Sequence, residues 1–290
     1  MQKLIYVLTL LPLIGFMENS QAQEHEIEVT QLADGLHRLF VNNAVAVVVS
    51  HGEDGVLVID AAYEQTAESL LNQIEEISDK PLKYLINTHL HADHTGGNKV
   101  IGRDADIIAH PSVKDYLSSE QQRGDEVLPP FPGYALPNIL VDSNKDLEFN
   151  GEVVQITHLA GGHTGGDLIV YFPDSQVLVM GDLLFAGFFP FVDTSNGGNP
   201  IIYLENVQRV LSHFPLQTTF VGGHGSVFSF DELQQWHDDL NATFAVVGEA
   251  KSRGMSQEEM KKQRILEEWE EMGTFFITEE RWIETLYPFL

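Results

Sequence analysis

The feature that most constrains this chain is a six-residue run, His89-Leu90-His91-Ala92-Asp93-His94, placed directly after the apolar stretch from Leu82 to Ile86. Five apolar-rich residues bounded by polar ones read as a short buried strand. Three imidazoles and a carboxylate then follow within one turn of chain, and each is a competent ligand for zinc or iron. A strand end that opens into a loop can turn alternate side chains toward one point. Thr95-Gly96-Gly97-Asn98 reads as a tight turn whose small residues let backbone pass close to a metal. The fold must therefore present a strand end at which several polar side chains converge instead of scattering into solvent.

Three more candidates sit after apolar stretches and among glycines. His163 lies in Gly161-Gly162-His163-Thr164-Gly165-Gly166-Asp167, Asp182 in Gly181-Asp182-Leu183-Leu184, and His224 in Gly222-Gly223-His224-Gly225. A glycine-flanked His or Asp is by itself more often a turn residue than a ligand. Joined to the first run, these residues complete a set of seven: His89, His91, Asp93, His94, His163, Asp182 and His224. Such a set suffices for two metals with an open position between them.

The rest of the chain reads as a mixed α/β core. Leu36 to Val41, Ala44 to Ser50, Val56 to Ile59, Ile107 to Ala109, Val153 to Ile156 and Thr219 to Val221 are strand-like, and Leu168 to Phe172 and Val177 to Met180 flank a hairpin signal at Pro173-Asp174-Ser175. Glu64 to Ile77 and Ile201 to His213 have helical periodicity, as do Asp231 to Ala250, Gln257 to Glu271 and Thr278 to Leu286. Strands alternating with helices and then followed by helices alone point to an α/β core with a helical cap.

The order His-x-His-x-Asp-His, Gly-His-Thr, Gly-Asp, Gly-His resembles the metallo-β-lactamase superfamily over roughly residues 36 to 226. The resemblance implies an α+β fold, a four-layer αβ/βα sandwich with the metals at one edge of its two sheets. Residues 1–22 would then be a signal peptide, 23–228 the metallo-β-lactamase-like domain and 229–290 a helical C-terminal extension. It further implies two zinc ions, one held by His89, His91 and His163, the other by Asp93, His94 and His224, with Asp182 bridging as in the glyoxalase II-like branch. The chain has no cysteine, so it lacks the thiolate that many zinc β-lactamases use in the second site. The short spacing from Asp182 to His224 leaves little room for the domain that the nuclease branch inserts.

The chemistry expected of such a set is hydrolytic. Paired cations acidify a shared water, and the resulting hydroxide attacks the carbonyl of an ester, thioester, lactone or lactam. Asp93, the carboxylate of the central run, is the candidate for orienting that nucleophile or accepting its proton. The alternative is an iron-dependent oxidoreductase, such as a sulfur dioxygenase, on the same ligands. Asp60 and Asp167 are candidate supports of the ligand loops. Phe185, Phe188, Phe189 and Phe191 either wall an apolar pocket or pack the core, the Phe131 to Tyr134 loop is a candidate lid, and the Pro129 to Tyr134 loop is a candidate pocket lining.

Charge and the N-terminus narrow the setting. Sixteen basic against 43 acidic residues give a formal charge of −27, which repels phosphate backbones and argues for a small-molecule acyl substrate over nucleic acid. Lys3, the apolar run Leu4 to Phe16 and the small residues of Ser20-Gln21-Ala22 follow signal-peptide grammar, so export to the periplasm or medium, without stable membrane insertion after cleavage, is expected. Oligomeric state is left open.

Overall fold

A computed structural model describes residues 25–124 and 126–290; the signal-peptide expectation for residues 1–22 falls outside them. Four antiparallel strands come first, β1 (Ile27–Ala33), β2 (Leu36–Val41), β3 (Val45–Gly52) and β4 (Gly55–Ile59). Helix α1 (Ala67–Ile77) leads to β5 (Leu82–Ile86), the short helices α2 (Ala92–Thr95) and α3 (Asn98–Ile101), and β6 (Asp106–Ala109). After α4 (Pro111–Leu117) and the small hairpin of β7 (Gln121–Arg123) and β8 (Glu126–Leu128), strand β9 (Ile139–Leu140) closes the first sheet. Strands β4, β5, β6 and β9 run parallel, so their C-terminal ends share one edge.

The second sheet has the order β10 (Asn144–Phe149), β11 (Glu152–His158), β12 (Leu168–Phe172), β13 (Val177–Ala186), β14 (Thr219–Gly225) and β15 (Val227–Phe228), with α5 (Pro200–His213) crossing between the parallel pair β13 and β14. Helices α6 (Phe230–Ser252), α7 (Gln257–Gln263) and α8 (Glu279–Leu286) follow.

Three apolar cores hold four layers together. Strand β4, Gly-Val-Leu-Val-Ile, shows how: Leu57 and Ile59 face the second sheet and pack with Ile156, Val170 and Val179, while Val56 and Val58 face outward onto Leu70 and Ile74 of α1. A strand buried on both faces reads as a continuous apolar run because alternate side chains serve different cores. On the far side, α5, α6 and α8 cover the second sheet, with Trp236, Leu240, Phe244 and Trp282 against Leu183, Phe185 and Phe189. The architecture is thus helices, sheet, sheet, helices.

Most expected elements are present, several with longer ends. The expected helix from Gln257 to Glu271 is instead broken. Helix α7 stops at Gln263, Arg264 takes a left-handed conformation (φ 50°), and a separate 3₁₀ turn spans Glu267–Gly273. Arg264 is held there by Glu267 at 3.0 Å and Glu270 at 2.9 Å. Strands β1, β9 and β10 and helix α4 are additional to the sequence reading. Among the described residues no helix is long and apolar enough to cross a membrane.

Trp282 ties the last helix to this framework. It is fully buried, stacks on Phe189 with ring centroids 5.7 Å apart, and donates from Nε1 to Thr243 Oγ1 at 2.9 Å. Trp282→Ala is expected to destabilise the protein by about 3–5 kcal/mol, read from the denaturation midpoint. A loss under ~1 kcal/mol would mean that α8 contributes little to the core.

Candidate metal centre

Strand polarity gathers the ligands at one edge. Asp60 follows β4, His89 to His94 follow β5, and His224 sits near the end of β14, all at C-terminal strand ends. The loop that carries His163 precedes β12, which is antiparallel to β13 and so opens at the same edge. Asp182 lies within β13, beside a break in pairing register where Gly181 adopts φ 52°. At that point an added Cβ would meet Thr88 Oγ1 at 2.6 Å.

All seven expected ligands converge, in two groups: His89, His91, His163 and Asp182, then Asp93, His94 and His224. In the first, His91 Nδ1 lies 3.1 Å from His89 Nε2 and 2.9 Å from His163 Nε2, while Asp182 Oδ2 lies 3.7 and 3.5 Å from those two Nε2 atoms. In the second, Asp93 Oδ2 is 3.6 Å from His94 Nε2 and 3.4 Å from His224 Nε2. Asp182 reaches this group too, with Oδ1 at 3.1 Å from His94 Nε2 and Oδ2 at 3.4 Å from His224 Nε2. Among the described residues Asp182 is therefore the carboxylate that faces both groups.

The outward nitrogens fix which atoms point inward. His94 Nδ1 donates to Asp60 Oδ2 at 2.8 Å, His163 Nδ1 to the Phe191 carbonyl at 2.7 Å, and His224 Nδ1 to the Ala44 carbonyl at 2.7 Å. His91 Nε2 donates to Asp193 Oδ2 at 2.9 Å. The Thr88 hydroxyl donates to Asp60, so His89 Nδ1, 3.1 Å away, donates to Thr88 Oγ1. Each partner is an acceptor, so each imidazole that is neutral turns a bare lone pair inward. In the first group three such lone pairs face one another with no donor between them. A cation satisfies that arrangement. Four donors ~2.1 Å from a tetrahedral ion stand ~3.4 Å apart, and the separations above bracket that value. His94 Nε2 and Asp182 Oδ1 are also buried without a hydrogen-bond partner. The residues fit a divalent metal centre.

In the first group the electrostatics agree. Burial, with the neighbouring histidines, pushes His89 well below the usual imidazole range, and burial brings His163 down to about 4 against the pull of Asp182. Both are the neutral form that binds metal. Burial acts to raise the Asp182 carboxyl, but His224, His94, His89 and His163 outweigh it and hold it well below the carboxylate range. Burial opposes charge on His224 and His94 as well, yet Asp182 and Asp93 lift His224 to about 10, and Asp182, Asp60 and Asp93 lift His94 well above the usual imidazole range, so in the second group protons hold the inward nitrogens that a cation would take over.

The supports are distinct from the expectations in places. Asp60, in a left-handed conformation (φ 65°), accepts from Thr88 N, Thr88 Oγ1 and His94, a set that ties β4, β5 and the His91–Thr95 turn together. Asp167 accepts from the Thr164 amide and hydroxyl and shapes the His163 loop. Gly96 and Gly97 do not approach the ligands. A Cβ at Gly97 would collide with the Ala61 carbonyl, and one at Gly96 with Glu64 N, so these glycines let the turn seat on the β4–α1 connection. Gly223 has the role expected of them, since its Cβ would strike Asp182 Oδ1 and approach His94 Cε1 to 2.9 Å. Asp193 is absent from the sequence reading, as no glycine or motif marks it.

The phenylalanines divide. Phe185 and Phe191 line a cavity of about 620 Å³ over the ligands, Phe189 is fully buried, and Phe188 lies away from that cavity against Phe275. Of the Pro129 to Tyr134 loop, Pro129 and Phe131 line the cavity.

Comparison with known proteins places the chain in a family. The profile of the "Metallo-beta-lactamase superfamily" matches residues 38–233. The chain belongs to that superfamily. It is similar to the "Probable metallo-hydrolase YqgX" of Bacillus subtilis, 27% identical over 176 residues, or 60% of this chain and 81% of that protein. It is also similar to a "Hydroxyacylglutathione hydrolase" of Crocosphaera subtropica, 32% identical over 135 residues, covering 45% of each; the match thus spans under half of that relative. The solved structure of a metallo-beta-lactamase from Pontibacter korlensis superposes with a TM-score of 0.62 at 18% identity, covering 74% of this chain and 99% of that one. These relatives support an enzyme of the metallo-hydrolase type with a His/Asp metal cluster.

Asp193 supplies a test of how the cluster is held. Removing it in Asp193→Ala frees His91 to rotate, and metal affinity should fall by about 10–100-fold, measured by competition with a chromophoric chelator. Unchanged affinity would show that His91 is positioned by something else.

Proposed function

We propose that the chain is an exported dinuclear zinc hydrolase that cleaves the carbonyl bond of an ester, thioester, lactone or lactam. The observation that carries the reading is the position of Asp182, whose two oxygens face both ligand groups at 3.1 to 3.7 Å. His89, His91 and His163 would hold one ion and Asp93, His94 and His224 the other, with Asp182 shared. When bound, the ions lower the pKa of a shared water and polarise the substrate carbonyl.

The chain's own residues supply the rest. Asp93 lines the cavity and is part-exposed. Burial acts to raise its carboxyl, but His94 and His224 outweigh it and keep Asp93 ionised. Asp93 can therefore accept a hydrogen bond from the attacking water, aim it and take its proton. Water adds to the acyl carbon, the bond to the alcohol, thiol or amine breaks, and the leaving group takes up the proton. Leu90, Phe185 and Phe191 exclude bulk water from this edge. A charge of −27 gives polyanions no counterion-release gain, which favours small acyl substrates over nucleic acids. Signal-peptide grammar in residues 1–22 supports export.

The test joins metal analysis to a substrate panel. Zinc-supplemented protein should carry about two zinc ions per chain and hydrolyse at least one acyl class in preference to DNA or RNA. Asp182→Ala should lose the second metal and lower kcat/KM more than Asp60→Ala, whose effect should stay near 10–100-fold. Bound iron with oxygen consumption, or efficient nuclease activity with no acyl hydrolysis, would refute the reading.

A further inference from the structure

The cavity over the ligands is closed on one side by a segment beyond the superfamily match. Residues 274–277 join the 3₁₀ turn Glu267–Gly273 to α8 and carry Phe275 and Phe276 to the cavity wall. The Phe275 ring lies 5.5 Å from the His224 ring, and Phe276 meets Phe191 edge-on at 5.6 Å. Their exposures are 38% and 52%, high for phenylalanines beside buried metal-ligating groups. Exposed apolar surface rimming a cavity marks a site for an apolar ligand group.

The segment is fixed in place. Met272 and Ile277 on either side are buried, and the Phe189 amide donates to the Met272 carbonyl at 2.8 Å. Arg281 donates from Nη1 to the Phe276 carbonyl at 3.1 Å, and its guanidinium lies 4.8 Å from the centre of the Phe276 ring. The two rings are thus held out toward solvent by a buried frame. Leu117, Leu128 and Phe131 line the same cavity. Among the described lining residues there is no lysine or arginine to hold a carboxylate, phosphate or sulfate at the far end of a ligand.

We propose that this cavity takes acyl substrates with an extended, uncharged apolar tail, and that Phe275 and Phe276 set the preferred tail length. The proposal rests on the acyl-hydrolase reading and adds the substrate class and the residues that select it. The reacting carbonyl lies over Asp93 and Asp182, and the tail runs between the phenylalanine pair and the Leu128–Phe131 side. Each methylene that enters this space raises kcat/KM until the cavity is filled, and an anionic tail end is disfavoured.

The experiment uses the full chain loaded with zinc and a series of 4-nitrophenyl esters from acetyl through butanoyl and octanoyl to decanoyl. One further ester matches the longest in length but ends in a carboxylate. Activity should climb about three- to fourfold per added methylene over the first part of the series and then level off. In the double variant Phe275→Ala/Phe276→Ala the octanoyl-to-acetyl ratio of kcat/KM should fall about tenfold, and Phe276→Leu should retain most of it. A ratio that the double variant leaves unchanged overturns the proposal, as does a carboxylate-ended ester that outperforms its methyl-ended counterpart. If no ester is cleaved, the hydrolase reading fails separately. Calorimetric binding of alkyl hydroxamates of the same lengths then decides the tail site: affinity that tightens with length in the native chain and not in the double variant supports it, and affinity independent of length overturns it.

Discussion

The site depends on hydrogen bonds made by the outward nitrogens of its five histidines. The acceptors come from four parts of the fold: Asp60 after β4, Thr88 after β5, Phe191 and Asp193 beyond β13, and the Ala44 carbonyl before β3. The inward nitrogens converge only if both sheets keep their register and their relative position. Burying this many polar groups is costly unless each is partnered. The three apolar cores supply the rigidity that keeps those partners aligned. The left-handed backbone at Asp60 is a local cost of the same arrangement, since it turns one carboxylate toward Thr88 and His94 together.

Much of this was legible in the sequence, and the limits have physical reasons. The ligands announce themselves because few roles other than metal binding gather His and Asp at a strand end. The strands in both sheets that are buried on two faces were visible as apolar runs. Strand β10, Asn-Lys-Asp-Leu-Glu-Phe, was not, because it is an edge strand with its polar residues in solvent. Helix α4 carried a usable signal, since Pro111 occupies its first turn and the His110 side chain accepts from the Ser112 amide. The break after α7 had none, because Arg264 replaces the glycine that usually marks a left-handed helix end. Backbone carbonyl partners such as Phe191 and Ala44 leave no trace in a residue pattern, and Asp193 lacks the preceding glycine that marks Asp167 and Asp182.

Phenylalanines between Phe185 and Phe191 show why function is harder to read than fold. Four similar residues in one short segment take three roles, because β13 ends among them and the chain turns. Phe185 and Phe191 reach the cavity, Phe189 enters the core beside Trp282, and Phe188 turns to Phe275. The seven candidate metal ligands lie within the matched span 38–233, whereas Phe275 and Phe276 lie beyond it. On the proposed reading, chemistry and selectivity would be carried by separable parts of the chain.

Charge balance links the two parts. Asp60, Asp93, Asp182 and Asp193 all lie within or against the ligand cluster, and together they carry four formal negative charges. Two divalent ions would bring four positive ones. The loaded cluster would then be close to neutral, which is how a buried group of charges avoids the heavy desolvation cost of an unpaired one. A neutral cluster exerts little pull at distance, so the field that an approaching molecule meets is set by the rest of a chain with formal charge −27. On the proposed reading, polyanions would be repelled before they reach the cavity, whereas an uncharged molecule would meet no such barrier and would find apolar walls at the entrance. The acidic surface and the phenylalanine rim would then select in the same direction, one at long range and the other at short range.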